Sequence, residues 1–380
     1  MKQLSLIRFT SLFVLLGLLA IACQDDNEEG TDITDPSNCS SLSDIVYNPS
    51  PYTIIKPEHY QPIPIPEDNP MTEEGVFLGR KLFYDPILSA DSTQACASCH
   101  LAQLAFTDGN AFSTGIDGIE GKRSSMSLVD VAYVRSGLFW DGRVATLEDQ
   151  ALVPIEDPVE LHHEWPKVVE DFQEHSEYPE LFRKAFGIEC KEDITKELAA
   201  KAMAQFERTI ISSGNSKFDR FLKREVLLTA DELNGFNMFF NHEGPSAGSL
   251  PDAECSHCHA SPLFMSQDFI NNALQIADVN LDYPDQGHYL VTGIPADRGK
   301  FRVPTLRNIA LTAPYMHNGS LATLEEVMDH YASGGHPTSI TDPLLRDIDL
   351  TEEQKDQVIA FLHTLTDTTL INRPDLQPIE

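Results

Sequence analysis

Two pentapeptides, Cys96-Ala97-Ser98-Cys99-His100 and Cys255-Ser256-His257-Cys258-His259, hold most of the chemistry legible in this chain. Cysteines three apart on the first turn of a helix project the same way. Both thiols can then add to the vinyl groups of one haem while the residue that follows turns its imidazole onto the iron. This spacing is the c-type haem attachment signature. The competing reading is a pair of knuckles sharing one zinc, but zinc ribbons separate their knuckles by about 15–20 residues and need no His after each. Here the two motifs lie far apart in the chain. Two covalently bound haems are therefore expected, with Cys96, Cys99, Cys255 and Cys258 as attachment points and His100 and His259 as iron ligands.

Helices must present both motifs, and helical signals dominate wherever periodicity is clear. Thr229 with Glu232, Thr323 with Glu326 and Thr351 with Gln354 read as capping boxes. Leu198, Ala202, Phe206 and Ile210 recur at helical spacing between Ile194 and Ile210. No stretch makes a sustained case for strands. The expected fold is mostly α, with two cytochrome c-like haem domains in tandem, at residues 71–213 and 214–380. The turn residues Ser212-Ser213-Gly214-Asn215 mark the boundary. Ahead of them, residues 23–70 are rich in Asp, Ser and Pro and read as a tether followed by an extended arm.

Residues 1–22 carry Lys2 and Arg8, then an apolar run too short to span a bilayer, which is a signal-peptide pattern. Cleavage before Cys23 matches a slightly degenerate bacterial lipobox, so a lipid anchor on Cys23 is expected. The following Gln24-Asp25-Asp26-Asn27-Glu28-Glu29 resembles the acidic tag of surface-exported lipoproteins. The predicted location is the cell envelope, on the periplasm-facing outer membrane or the cell surface. Cys39 and Cys190 remain, and in an oxidising compartment they either pair or stay free. The formal charge of −32 excludes phosphate-backbone binding and favours a basic protein partner, although such a charge also serves solubility alone.

The segments around the motifs carry a more specific likeness. Leu78-Gly79-Arg80-Lys81-Leu82-Phe83-Tyr84-Asp85-Pro86, Phe139-Trp140-Asp141-Gly142-Arg143, Gln150, Asp157-Pro158-Val159-Glu160, Val303-Pro304-Thr305-Leu306-Arg307-Asn308 and Ala313-Pro314-Tyr315-Met316-His317-Asn318-Gly319 occur in order. This series resembles the dihaem bacterial cytochrome c peroxidase family, which includes the MauG-type enzymes. The resemblance implies a peroxide-reacting haem on His100 and an electron-relay haem on His259. It also implies Trp140 as the aromatic bridge between them, and Glu160 and Gln150 as distal groups at the first haem. A carboxylate there would move a proton between the peroxide oxygens. Pro154 matches a position that shapes the same pocket.

Two departures qualify the likeness. No His occurs between His100 and His162, and the loop from Gly109 to Arg123 offers only Asp117, Glu120 and Lys122, so the first iron is expected to be open already when oxidised. His162 and His163 are expected at the surface. At the second iron the family's distal position falls on Tyr331, with Met328 next and Met316 third. Classical members use Met, and MauG-type members use Tyr, a harder ligand that lowers the potential. Thr312 and Pro314 match carbonyls that hold calcium in the family, although Ser124 or its neighbour replaces the asparagine that completes that site. The expected function is reduction of hydrogen peroxide to water with electrons from a small cytochrome c or copper protein. The alternatives are a MauG-type oxidase of a protein or organic substrate, and a dihaem electron carrier without turnover.

Overall fold

Threonine caps and acidic first turns start the helices. Thr72 opens α1 (Glu73–Tyr84) by accepting from the Gly75 amide, with Glu73 and Glu74 at the positive end and Lys81 at the negative one. The computed structural model describes residues 39–240 and 250–379, so the signal segment and Cys23 lie outside the described residues. After α1 come the single turn α2 (Cys96–Cys99), then α3 (Leu147–Glu156), α4 (Trp165–Glu174), α5 (Tyr178–Phe186) and α6 (Lys196–Glu207). The second half holds α7 (Lys217–Leu222), α8 (Ala230–Phe240), the single turn α9 (Cys255–Cys258), α10 (Tyr289–Thr292), α11 (Leu324–Ser333), α12 (Glu352–His363) and α13 (Thr368–Ile371). Strands β1 (Phe269–Ile270) and β2 (Phe301–Arg302) form one short antiparallel pair, with Phe269 opposite Arg302. Among the described residues no helix is long and apolar enough to cross a membrane.

The predicted caps form, with one variation. Thr229 and Glu232 exchange both bonds, at 3.3 and 2.7 Å, and so do Thr351 and Gln354. Thr323 accepts from the Glu326 amide at 3.2 Å, but the Glu326 carboxylate reaches one residue further back, to the Ala322 amide.

The same helix crossing occurs twice. Helix α1 packs on α6, and α8 packs on α12. Each crossing is closed by a glycine: a Cβ on Gly79 would lie 1.9 Å from the Ala202 carbonyl oxygen, and one on Gly235 would lie 1.9 Å from that of Gln357. Around the first crossing, Phe83, Phe106 and Phe206 pack with their neighbours. Around the second, Phe218, Phe239, Phe264 and Phe361 do the same. Gly79→Ala and Gly235→Ala should each destabilise the protein by at least the roughly 1–3 kcal/mol typical of overpacking, since helix backbone must give way. Equilibrium denaturant unfolding reads this directly, and unchanged midpoints would refute such close approach.

The region read as an extended arm and the boundary segment are more firmly held than their composition suggests. Residues 40–70 are irregular, yet the arm is stitched to the start of α1 by Tyr52 N to Met71 O and by Glu73 N to Ser50 O. Ser212, expected in a turn at the boundary, is fully buried. Its amide and hydroxyl both donate to Asp130, at 2.9 and 2.7 Å, and those of Ser213 donate to Asp367 at 2.8 and 2.7 Å. Residues Ser40–Glu380 accordingly form one compact unit. Cys39 and Cys190 are each engaged in a disulfide, which answers the question left open by their spacing.

Candidate active site

The two attachment motifs have one local design. In α2 the two cysteines span a single turn, and the His100 amide closes it onto the Cys96 carbonyl at 3.1 Å. The His100 imidazole Nδ1 donates to the Phe106 carbonyl at 2.9 Å, with the Ser125 hydroxyl 3.3 Å away. Phe106 is fully buried and takes a left-handed backbone, φ 61°, which turns its carbonyl toward the ring. Burial lowers the His100 pKa, with the Phe106 bond partly opposing it. The imidazole is therefore neutral, with its proton on Nδ1 and the lone pair on Nε2 that an iron ligand needs.

At α9 the construction repeats. His259 N closes on Cys255 O at 3.0 Å, its Nδ1 donates to Phe264 O at 3.0 Å, and Phe264 is buried with φ 53°. Burial lowers the His259 pKa to about 4. Burial also pushes the Cys99 and Cys258 thiols up to about 11 and Cys255 up to about 12. Protonated thiols on one turn beside a neutral imidazole fit a c-type haem. They do not fit knuckles sharing a zinc, because among the described residues no three His, Cys, Asp or Glu side chains converge as a metal site. Phe106 and Phe264 escaped the sequence reading, though superposing the two motifs would have found an aromatic at nearly the same offset in each.

Helix α11 carries two of the three residues expected as candidates for the second iron. Met328 is buried in the C-terminal apolar cluster. Tyr331 sits within electrostatic reach of Cys258 and Cys255, with its hydroxyl hydrogen-bonded to Asn272, and burial raises its pKa to about 12. Met316 takes a left-handed backbone and its sulfur lies 3.3 Å from the Asn272 amide nitrogen.

Glu160 ends the turn after α3, within electrostatic reach of both Cys96 and Cys99. Burial raises its pKa to about 7, helped by Asp157 and opposed by Arg143. The loop from Gly109 to Arg123 folds as a small hairpin, with Thr114 bridged to Glu120, and docks here through Ile116 N to Glu160 O at 3.0 Å. Asp117 on that loop pairs with His162 at 2.5 Å, and the His162 side chain is 53% exposed, as expected. His163 is not: its side chain is only 9% exposed. The ring folds over the start of α4, where Nδ1 accepts from the Glu164 amide at 2.8 Å and Nε2 faces Asp171. Gln150 lies half-buried on α3, with Pro154 one turn further along.

Trp140 tops a tight loop clamped where Leu138 bridges Val144. Its indole N–H donates to the Ser124 carbonyl at 2.9 Å, and its own carbonyl accepts from Arg302 N at 2.8 Å. Ser124 is fully committed, since its amide donates to His317 O and its hydroxyl to Met316 O. His317 meets Trp140 edge-on at 6.5 Å and stacks on Phe301 at 3.7 Å. Arg123 holds the loop from outside, with two bonds to Asp285 at 2.7 and 2.9 Å and one to Asp141 at 2.6 Å. Neither His317 nor the Arg123–Asp285 pair was assigned a role from sequence, because their partners lie far away in the chain.

Comparison with known proteins places this geometry in a family. The family model for di-haem cytochrome c peroxidase matches residues 73–226. A cytochrome-c peroxidase of Denitromonas iodatirespirans is 34% identical, covering 81% of this chain and 85% of that one. The methylamine utilization protein MauG of Methylorubrum extorquens is also 34% identical, over 80% and 81% of the two chains. Among solved structures, a MauG-like protein associated with microbial copper homeostasis is 37% identical, with a TM-score of 0.77 over 86% of this chain and 99% of that one. The chain belongs to the dihaem cytochrome c peroxidase and MauG family.

Proposed function

We infer that this protein is a dihaem c-type peroxidase that reduces hydrogen peroxide to water with electrons from an external donor. Each haem, when bound, supplies a redox-active iron. His100 and His259 would hold the two irons from the proximal side, and the cysteine pairs would fix the two rings in tandem cytochrome c-like domains at residues 71–213 and 214–380. Glu160 accepts a proton from one peroxide oxygen and returns it to the other as the O–O bond breaks. Two electrons and two further protons complete the conversion to two waters. Gln150 orients the peroxide, and Trp140 carries electrons between the halves. The observation that carries this reading is the pair of Cys-x-x-Cys-His turns, each holding its histidine by an Nδ1 bond to a backbone carbonyl, with the half-buried Glu160 carboxyl near the first.

The histidine-free loop after the first motif is folded on itself and tied to Glu160 and His162, which supports an iron open on its distal side. Rapid mixing of the fully oxidised protein with peroxide should therefore change its spectrum without prior reduction. A strict requirement for the half-reduced state would overturn this.

The position of Tyr331 favours a second reading, a MauG-type oxidase that spends peroxide on a protein or organic substrate. The donor in the first reading is a small basic cytochrome c or copper protein, matched to the acidic charge. Calcium on the Thr312 and Pro314 carbonyls, and a lipid anchor on Cys23 at the cell envelope, are proposed on sequence likeness alone.

A further inference from the structure

Four arginines of the described chain are buried to below a tenth exposure, and three have a carboxylate. Arg183 pairs with Glu189, Arg208 with Glu148 and Arg307 with Asp219. Arg302 is 6% exposed and forms no ion pair among the described residues. Among the described residues its guanidinium makes two hydrogen bonds, both long: Nε to the Phe139 carbonyl and Nη2 to the Met126 sulfur, each at 3.4 Å. A guanidinium carries five N–H donors, and a buried cation without a counter-charge is strongly disfavoured. Burial alone lowers its pKa to about 10, with no acidic group opposing the shift. Among the described residues, then, no side chain supplies the counter-charge to this enclosed cation.

The position of Arg302 identifies that partner. Its own amide bonds the Trp140 carbonyl. Met126, which its guanidinium touches, is also the residue whose backbone meets the His100 ring. Two residues beyond Arg302, the Pro304 backbone meets the His259 ring. Arg302 thus stands beside Trp140, between the proximal sides of both attachment motifs. We propose that Arg302 binds a haem propionate carboxylate and so sets the charge at the junction between the two haems. This rests on the dihaem reading above. Either haem could supply the carboxylate, and a planar fork suits a carboxylate from both.

The test uses the holoprotein, as wild type, Arg302→Lys and Arg302→Met. Pyridine haemochrome analysis should give two haems per chain in the wild type, and fewer would overturn both the dihaem reading and this assignment. With two haems retained, potentiometric titration followed by electron paramagnetic resonance at pH 8 should show one potential shifted downward in Arg302→Met, because a cation that favours the reduced haem is gone. The haem whose potential moves is the one supplying the propionate. Arg302→Lys should keep most of the potential yet still shift the propionate-bending band of the same haem in resonance Raman spectra, since the fork is lost. Should Arg302→Met fail to fold, the Lys variant decides alone. Unchanged potentials in a two-haem Arg302→Met protein, or an unchanged propionate band in Arg302→Lys, would overturn the assignment.

Discussion

Glu160→Gln is expected to slow peroxide reduction by about 10²–10⁴-fold, the range general acid–base catalysis usually contributes, while leaving the optical spectra of both haems intact. The amide keeps the size of the side chain but cannot take up a proton, and Glu160 is not proposed to ligate iron. Its pKa supplies a second signature. Burial raises the carboxyl to about 7, so the basic form fills as pH rises through that value. Wild-type turnover should accordingly fall as pH drops below about 7 and level off above it, and this limb should be missing in the variant. Full activity in Glu160→Gln, or an unchanged pH profile, would place the proton-transferring group elsewhere.

Tyr331→Phe should raise the potential of the second haem by an amount on the order of 10² mV, a fraction of the roughly 0.8 V that axial ligands span. Its spectrum should change with it. Met328→Leu should leave that haem nearly unchanged and cost less than about 1.5 kcal/mol, as a volume-conserving swap inside an apolar cluster. The two residues lie one turn apart on α11, so neither substitution rebuilds the helix. Tyrosine ligation would make the second haem a poor acceptor for a high-potential donor and would move the assignment toward substrate oxidation. Loss of a methionine-type charge-transfer band in Met328→Leu would instead restore the donor-dependent peroxidase.

Local chemistry was legible in the sequence because it is written in adjacent residues. The Cys-x-x-Cys-His turns, the threonine caps at Thr229, Thr323 and Thr351, and the helix read between Ile194 and Ile210 each depend on spacing within a few positions; the turns and caps form, and the helix forms as α6 over Lys196–Glu207, leaving Ile194 and Ile210 beyond its ends. The relation of Glu160 to the first motif was available only through family likeness, since a Glu in an Asp-Pro-Val-Glu turn is by default solvated. Tertiary packing buried it and raised its pKa. Packing also decided that the Ser212 segment is an enclosed hydrogen-bonded seam instead of an open turn, because Asp130 and Asp367 arrive from distant parts of the chain to satisfy it. His163 turned inward for the same kind of reason, with its ring bonded at the start of α4. Arg302 is the clearest case. Nothing in its sequence neighbourhood singles it out, and only the folded chain shows that it is buried beside Trp140 without an ion pair among the described residues.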